Sequence, residues 1–531
     1  MQQFIEKFQA QIVGVLSGFD RLVLRGSVRR LDRAYYDPTR GIVVAQGMQE
    51  YLWQNGVLFK HYGDYVKKTS ERVKKAAVRE YEEAGLPVIS LREAGADKDQ
   101  RARQVAQERG ITSGPVCVLS ALEPCPTFDY VRSKIAWRRR PCHVLYQYRL
   151  DEQFGWMYAR IQTWFPFPVQ ICVNGREWLA QQMEAEGLHY VRQDNCFPWI
   201  EDFPRAQQLL DQQVKANWRE HLDAIADQLH PLRAELFDDF PASYYWSTYQ
   251  SEWATDLVFR HPTVLKRLYP LLLQHAMTTF ASPDVMCFLG HKVPLQGGVH
   301  GNFQGEVRSD LREREEGIRV KHSVNGNSVK AYGKALRAEG SVFRVETTVN
   351  CAEDFKVYRR KEGDRKGPKA WRGMRRGIAD LPRRARVSQQ CNERYLGALS
   401  SVEVSPRLEE VAERLEGPTK WKGKRVRGLH PFSGPDSTLF QAISRGEWTV
   451  RGFRNRDLQP LLMHRPPASD EEKRRRSAWV SRQIRLLRAH GLIQKVPHEN
   501  RYHLTAFGRV AVTTVLTARQ ANVSDLNKKA A

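Results

Sequence analysis

A chain of 531 residues is too long for one hydrophobic core, and at roughly 100 to 200 residues per domain it predicts two to four folding units. With 41% hydrophobic, 10% aromatic and 27% charged residues, the composition excludes a disordered or fibrous protein. Lys and Arg number 84 against 60 Asp and Glu, and the net charge of +24 makes nucleic acid the first candidate partner. A generally basic surface is the alternative, but 356–386 alone holds 13 Lys or Arg against 3 acids.

The cysteines and the N-terminus indicate the compartment. Eight scattered cysteines form no CxxC pair and no zinc-spaced cluster, so we expect buried thiols in a reducing environment. The opening MQQFIEKFQAQ lacks the basic and apolar segments of a signal peptide, and no run approaches 18 apolar residues. These patterns predict a soluble cytoplasmic protein.

The first part of the chain predicts a mixed α/β domain over 1–285. Residues 12–28 form an apolar run typical of a buried strand, with Asp20 inside it. Helical spacing over 44–85, a strand at 86–90 and a helix over 97–110 follow, and then several strands up to 174. Helices are expected over 176–187, 204–230, 243–260 and 261–281.

A β-rich basic domain is predicted over 286–417. Alternating residues around the Asn325-Gly326 turn, over 317–335 and 341–350, indicate three antiparallel strands. The basic segment 356–386 and a helix near 389–400 follow, and the Pro, Gly and Lys-rich stretch 418–434 is expected to be a linker.

The pattern over 435–525 is typical of a winged helix. A helix, a short helix, a polar insertion over 464–475, a long helix over 476–491, two short strands and a final helix follow in order. Gly491 ends the long helix, and Leu492 and Ile493 should pack the wing onto the core. The predicted fold class is therefore α/β (α+β) and multidomain, with mixed-sheet domains followed by a C-terminal winged helix-turn-helix.

The long helix separates into two faces. Val480, Ile484, Leu486 and Leu487 can fill the core, while Ser481, Arg482, Arg485 and Arg488 fall on or near a polar face that could enter a major groove. The cations expected to meet phosphates are Arg454, Arg456, Arg488, Lys495 and Arg501. In the alternative interpretation these arginines only solvate the helix, or the domain binds another protein.

Charged residues in the strands over 318–350 are candidates for chemistry. Lys330, Tyr332 and Lys334 share one strand face, and Arg344 and Glu346 share another. Such a pattern is compatible either with a solvated sheet face or with a metal or phosphate site.

Carboxylates in apolar surroundings suggest where a metal could bind. Glu252 and Asp256 are four apart on an expected helix, and buried acids are costly unless paired or metal-bound. Asp20, Glu252, Asp256 and Glu346 are therefore candidate ligands for Mg²⁺ or Mn²⁺ in two-metal phosphodiester chemistry. Convergence of Asp20, Glu346 and either Glu252 or Asp256 would favour an enzyme, whereas separate pairing with arginines would favour a binding protein.

Aromatic residues cluster around Trp164 and over 244–253. They could stack unpaired bases, but core packing is the favoured interpretation, with Trp164 at an irregular edge.

The pair SVKAYGK and VFRVETTVN resembles the "YDK … R-x-E" strand pair of rolling-circle replication initiators, nucleases that nick DNA with a Tyr on a metal-bearing sheet. Tyr332 and Lys334 match the first strand and Arg344 and Glu346 the second; with Asp20 these are the candidate catalytic residues. Gly333 stands where that family usually has Asp, and the chain has no His-hydrophobe-His motif.

Longer phrases, among them GVLSGFDRLVLRG, TWFPFPVQICVNGREWLAQQM, YWSTYQSEWATDLVFR and GFRNRDLQPLL, are similar to a group of bacterial proteins present in many genomic copies, like mobile elements. This resemblance implies a mobile-element context but no reaction. Two hypotheses follow: a mobile-element enzyme that binds DNA and cleaves or transfers strands with divalent metal, or a non-catalytic DNA- or RNA-binding protein. Oligomeric state stays open.

Overall fold

A computed structural model describes residues 1–32, 35–36, 42–91, 97–240, 242–293, 305–314, 317–334, 341–361, 364, 366–402, 408–445, 447–448, 452–463, 465–497 and 499–522. The chain forms two compact units, Met1–Glu403 and Val404–Ala531. Helices and a large mixed sheet confirm the predicted α/β class. Within the described residues, no helix is both long enough and apolar enough to cross a membrane.

The first unit is built on a 12-stranded sheet. Its strands are β1 (Ile12–Asp32), β2 (Tyr35–Tyr36), β3 (Val88–Ser90), β4 (Gly114–Val131), β5 (Lys134–Asp151), β6 (Gly155–Gln162), β7 (Val169–Asn174), β10 (Ala242–Phe259), β11 (Val307–Arg314), β12 (Gly317–Val324), β13 (Asn327–Lys334) and β14 (Val342–Val349). The strand order is β11-β12-β13-β14-β10-β1-β7-β6-β5-β4-β3, with β2 paired to β1. Only β3 and β4 pair in parallel among the described strands of this sheet.

Helices and two small hairpins complete this unit. The hairpins are β8 (Tyr190–Gln193) with β9 (Cys196–Ile200), and β15 (Lys356–Arg359) with β16 (Ala370–Gly373). The helices are α1 (Gln2–Lys7), α2 (Ala45–Gln54), α3 (Tyr62–Glu83), α4 (Lys98–Glu108), α5 (Gly175–Ala185), α6 (Phe203–Lys215), α7 (Trp218–Leu229), α8 (Arg233–Leu236), α9 (Pro262–Thr278), α10 (Ser282–Phe288) and α11 (Leu381–Leu399).

The helix expected over 243–260 is wrong, because this segment is the central strand β10. Its aromatic and β-branched residues favour a strand. The alternation of polar and apolar residues is weak because the second half of β10 is buried on both faces. Glu252 and Asp256 still share a face, since positions four apart do so in a strand as well.

The boundary expected between 285 and 286 is also not a division between two domains. Strand β14 pairs with β10, which places Glu346 opposite Ala254 and Arg344 opposite Asp256. Strands β11 to β14 therefore extend the sheet begun by β1, because an unpaired β10 edge would leave backbone groups without partners.

The two faces of the sheet around β10 and β14 differ in polarity. One is apolar and carries Phe343 and Val345, and α11 covers it, with Asn392 Nδ2 donating to Thr255 Oγ1 and to the carbonyl of Val345 at 3.1 Å each. The other, which we call the acid face, carries Glu252, Asp256, Arg344, Glu346 and Lys330. Helices α5 and α6 and the β8–β9 hairpin lie over the acid face beside β1.

The second unit contains the predicted C-terminal elements in their predicted order. They are α13 (Gly434–Ile443), α14 (Asn455–Leu462), α15 (Asp470–Ala489), the hairpin β19 (Ile493–Lys495) with β20 (Tyr502–Leu504), and α16 (Ala506–Gln520). The six core residues predicted on α15 and at the start of the hairpin are all buried: Val480, Ile484, Leu486, Leu487, Leu492 and Ile493. His498, in the predicted turn between the strands, lies outside the described residues.

Two segments of this unit differ from the expectation. The stretch 418–434 is not an extended linker: β17 (Thr419–Trp421) pairs with β18 (Lys424–Val426), and Leu429 packs beside Val411 of α12 (Leu408–Glu416) in the core. Helix α15 begins at Asp470, earlier than expected, because Ser469 Oγ accepts a hydrogen bond from the amide of Glu472. The sequence signal was the S-x-x-E pattern of a helix start.

The aromatic and cysteine expectations are largely confirmed. Phe165, Phe167, Tyr244, Trp246 and Trp253 are core residues, Trp164 is half-buried and Tyr249 is exposed. All eight cysteines are free thiols; six are buried, Cys351 is half-buried and Cys287 is exposed.

Candidate functional site

Three of the predicted carboxylates converge on the acid face. Asp20 of β1, Glu252 of β10 and Glu346 of β14 each offer one oxygen, and these oxygens all lie within 4.8 Å of one another. The three strands are neighbours in the sheet, and Glu346 pairs with Ala254, two residues from Glu252. We call these three residues the acid triad.

A β-bulge brings Asp20 to this place. Phe19 lies opposite Trp253 and Arg21 opposite Glu252, so Asp20 is the extra residue of β1. A bulge of this kind redirects a side chain, and bulges are frequent next to functional sites. Gly175, the first residue of α5, allows the helix to approach the bulge, because a Cβ there would lie 1.8 Å from the carbonyl oxygen of Phe19.

Glu346 is held by two neighbours on β13. Lys330 Nζ lies 2.7 Å from its Oε1, and the Tyr332 hydroxyl donates to its Oε2 at 2.6 Å. Burial alone would raise the pKa of Glu346, but Lys330 and Tyr332 outweigh it and lower the pKa to about 2. Burial and then the charge of Glu346 raise the pKa of Tyr332 well above its usual value, so its hydroxyl is a hydrogen-bond donor here.

Asp20 and Asp256 share a buried arginine. Arg344, fully buried, donates to Asp256 Oδ1 at 2.5 Å, to Asp256 Oδ2 at 2.8 Å and to Asp20 Oδ1 at 3.0 Å. Arg176 of α5 adds an ion pair to Asp256 at 3.0 Å. Burial opposes ionisation of Asp256, but Arg344 and Arg176 together lower its pKa, whereas burial raises the pKa of Asp20.

The β8–β9 hairpin closes the other side of Asp20. Asn195 Nδ2 donates to both oxygens of Asp20 at 3.0 and 3.1 Å, and Arg344 donates to the Asn195 carbonyl at 2.7 Å. The side-chain oxygen of Asn195 is buried and has no hydrogen-bond partner among the described residues.

Glu252 is the most accessible and least neutralised member of the triad. Its side chain is 17% exposed, and Lys330 Nζ lies 3.7 Å away. Burial and then the charge of Glu346 raise the pKa of Glu252 to about 7, against the opposing charge of Lys330. Glu252 is therefore suited to exchange a proton near neutral pH.

The structure thus separates the predicted site residues into groups. Of the four proposed metal ligands, it brings together Asp20, Glu252 and Glu346. Asp256 does not join them, because both of its carboxylate oxygens accept hydrogen bonds from Arg344 and one of them also pairs with Arg176. Tyr332, Lys334 and Arg344 are buried on the acid face around the triad. The charge of Lys334 adds to those of Arg344 and Arg176 in lowering the pKa of Asp256.

Sequence reasoning named Lys330, Tyr332 and Arg344 but did not pair them with these carboxylates, and it missed Arg176. Lys330 could have been assigned to Glu346, because cross-strand neighbours on one face attract when their charges are opposite. Arg176 and the carbonyl of Asn195 come from elements far along the chain, and no local signal places them beside Asp20.

The triad is suited to a small, hard cation. Oxygen ligands of one octahedral Mg²⁺ are about 3 Å apart when adjacent and about 4.2 Å apart when opposite, so these side chains would have to move inward to bind it. Carboxylate and amide oxygens are the ligands that Mg²⁺ and Mn²⁺ prefer.

Searches against protein-family models, curated protein sequences and solved structures returned no match to this chain.

The raised pKa of Glu252 gives a testable pH dependence of stability. Between its ordinary value of 4.5 and about 7, the folded protein holds a proton that the unfolded chain releases, so stability falls as pH rises through this range. In metal-free buffer Glu252→Gln should therefore unfold at higher urea than the parent at about pH 8.5, by on the order of 3 kcal/mol, and match it at about pH 5.

Glu123→Gln is the matched control. Glu123 is another partly buried acid of the sheet, but hydrogen bonds from Tyr146 and Arg160 outweigh its burial and lower its pKa. Its replacement should destabilise the protein at about pH 8.5, the opposite sign. Equal effects of both substitutions at every pH would refute the assignment of a raised pKa to Glu252.

Proposed function

We propose that this chain is a nucleic-acid-binding protein of a mobile genetic element that cleaves or transfers DNA strands with Mg²⁺ or Mn²⁺ bound at the acid triad. The observation that carries the proposal is the convergence of Asp20, Glu252 and Glu346 from three neighbouring strands. A divalent ion there would stabilise the negative charge that develops on a phosphodiester during cleavage. Because burial raises the pKa of Glu252 to about 7, binding of the ion there would release a proton near neutral pH.

A pocket in the same sheet, lined by two arginines and by Glu123, which pairs with Arg160, is a candidate site for the phosphodiester. It has a volume of about 300 Å³ and is lined in part by Arg25, Arg160, Gln162, Gln170 and Tyr249. The strand pairings place Arg25, Gln170 and Arg160 in one row across β1, β7 and β6. Arg21, opposite Glu252, lies between this row and the triad. Guanidinium groups in this arrangement suit phosphate oxygens.

The test uses the full-length protein and labelled DNA from its own flanking locus. Cleavage products on a denaturing gel that require Mg²⁺ or Mn²⁺ and disappear with EDTA would support the proposal. A salt-sensitive mobility shift with no cleavage under any metal condition would exclude the catalytic part and leave a binding protein.

For the second unit we propose a winged helix that binds duplex DNA through α15. Three helices followed by a short hairpin support this assignment, because this order presents the third helix to a major groove. Ser481, Arg482 and Arg485 are exposed together on α15, and Arg482 and Arg485 have no ion pair among the described residues. Asn455 donates to Ser481 Oγ at 2.9 Å and fixes its position.

The other proposed phosphate contacts are arranged less uniformly. Lys495 and Arg456 are exposed, whereas Arg454 and Arg501 lie near Glu499 at 3.9 and 3.0 Å. Arg488 is half-buried and its guanidinium lies over the Trp421 ring. We therefore assign the main contacts to Arg482 and Arg485.

The double variant Arg482→Ala, Arg485→Ala should weaken duplex binding by about 10- to 1,000-fold at moderate salt, and it should lower the slope of log affinity against log salt by about two. Fluorescence anisotropy over a salt series measures both quantities. Arg519→Ala, on the last turn of α16, is a control cation and should change neither. If the double variant binds like the parent, α15 is not the recognition helix.

The second candidate function is a non-catalytic nucleic-acid-binding protein. It is favoured by the fact that Lys330, Tyr332, Arg344 and Asn195 already satisfy Glu346 and Asp20 with protein donors. In that case the acid triad is a structural charge network. If isothermal titration with Mn²⁺ gives the same heat for the parent and for Glu252→Gln, this candidate is favoured.

A further inference from the structure

The β15–β16 hairpin presents two large aromatic rings to solvent. Tyr358 and Trp371 are direct cross-strand partners, their ring centroids are 5.8 Å apart, and they are 56% and 71% exposed. Val357, on the opposite face of the same hairpin, is buried in the core with Phe355 and Met374. The hairpin is therefore anchored on one face and exposes a pair of adjacent rings on the other.

The charge around these rings is strongly positive. The sequence 356–373 holds eight Lys or Arg against two acids, Glu362 and Asp364. Asp364 Oδ1 accepts hydrogen bonds from the amides of Lys366 and Gly367. Lys356 lies on the same face as the two rings, and Lys361 and Lys369 are exposed. Neither Lys361 nor Lys369 forms an ion pair with a carboxylate of the described residues. The surface thus combines two exposed aromatic rings with two exposed lysines, Lys361 and Lys369.

We propose that the β15–β16 hairpin is a binding site for single-stranded nucleic acid, in which successive bases stack on Trp371 and Tyr358 and lysines contact the phosphates. The inference rests on the proposed nucleic-acid function and adds that this surface binds single-stranded rather than duplex nucleic acid. Base stacking on aromatic rings requires unpaired bases, because the base faces of a duplex are occupied by their neighbours. A lysine-flanked aromatic pair suits such a strand better than a duplex.

The test compares labelled oligothymidylate, labelled oligouridylate and a labelled duplex in anisotropy titrations of the full-length protein. Trp371→Ala should weaken binding of the single strands about 5- to 150-fold and leave duplex affinity unchanged, since one stacked base contributes about that factor. Trp371→Phe should retain most of the affinity. The matched control is Trp53→Ala, which removes a 77% exposed tryptophan of α2. It should have no effect.

Further variants separate the possible failures. Lys356→Gln with Lys369→Gln should reduce the salt dependence of single-strand binding. Single-strand binding that survives Trp371→Ala and Tyr358→Ala, or an equal loss of single-strand and duplex binding, would overturn the inference. Failure of every nucleic acid to bind the parent protein would instead overturn the proposed function. Thymidylate and uridylate differ in the base methyl group as well as in the sugar, so oligodeoxyuridylate, which differs from oligouridylate only in the sugar, decides whether the strand is DNA or RNA.

Discussion

Glu252→Gln and Glu346→Gln should each lower the rate of metal-dependent DNA cleavage by about 10³-fold, because a divalent ion contributes several kcal/mol to stabilisation of a phosphoryl transition state. The amide keeps the shape of the side chain but removes one charge from the acid triad. DNA affinity measured with EDTA should stay within about twofold of the parent, since binding through α15 does not use these residues. Rates are measured under single-turnover conditions with Mn²⁺ and with Mg²⁺.

The controls separate loss of the ion from loss of the fold. Asp380→Asn removes a buried carboxylate that is paired with Arg375 and Arg383 and belongs neither to the triad nor to the pocket, and it should retain full cleavage activity. Glu252→Gln, which is expected to be more stable than the parent at high pH, cannot lose activity through unfolding under those conditions. Cleavage at the parental rate by both triad variants would show that the triad is not the catalytic centre.

Arg344→Ala should destabilise the first unit by about 3–5 kcal/mol, the usual result of removing one partner from a buried ion pair. Arg344 holds both Asp20 and Asp256, and its loss leaves Asp256 with Arg176 as its remaining direct cationic partner among the described residues. The destabilisation caused by Arg344→Ala should become smaller as pH falls. Arg344 lowers the pKa of Asp256, and at low pH Asp256 becomes protonated and no longer needs a cationic partner. Urea unfolding followed by circular dichroism at several pH values measures both effects.

Arg205→Ala is the matched surface control. Arg205 forms an ion pair with Glu186 in which both side chains are substantially exposed. Its removal should change stability by less than about 1 kcal/mol, since water already solvates such pairs. Similar losses for the two arginine variants would contradict the description of Arg344 as the buried centre of the charge network.

Local pattern was sufficient for much of the fold. The apolar run with Asp20 at its centre, the Asn325-Gly326 hairpin and the helix and strands over 476–505 each carry their own periodicity or turn residues, and these elements form as predicted. Strand β10 was mistaken for a helix because its buried second half shows no alternation and because Glu252 and Asp256, four residues apart, also fit one face of a helix. The segment 418–434 was mistaken for a linker because Lys422 and Gly423 signal a turn that composition alone does not distinguish from a loop.

By itself the sequence determined which residue types are unusual: carboxylates at 20, 252 and 346 in apolar runs, and arginines on one side of a C-terminal helix. Only the tertiary structure decided which of these meet. The β-bulge at Asp20 and the pairing of β10 with both β1 and β14 bring three acids together from positions more than 300 residues apart in the chain. The same pairing gives Asp256 to Arg344 and Arg176, so two acids of one strand, four residues apart, have different environments. Cross-strand register and long-range burial set these contacts, and neither is encoded in a local stretch of sequence.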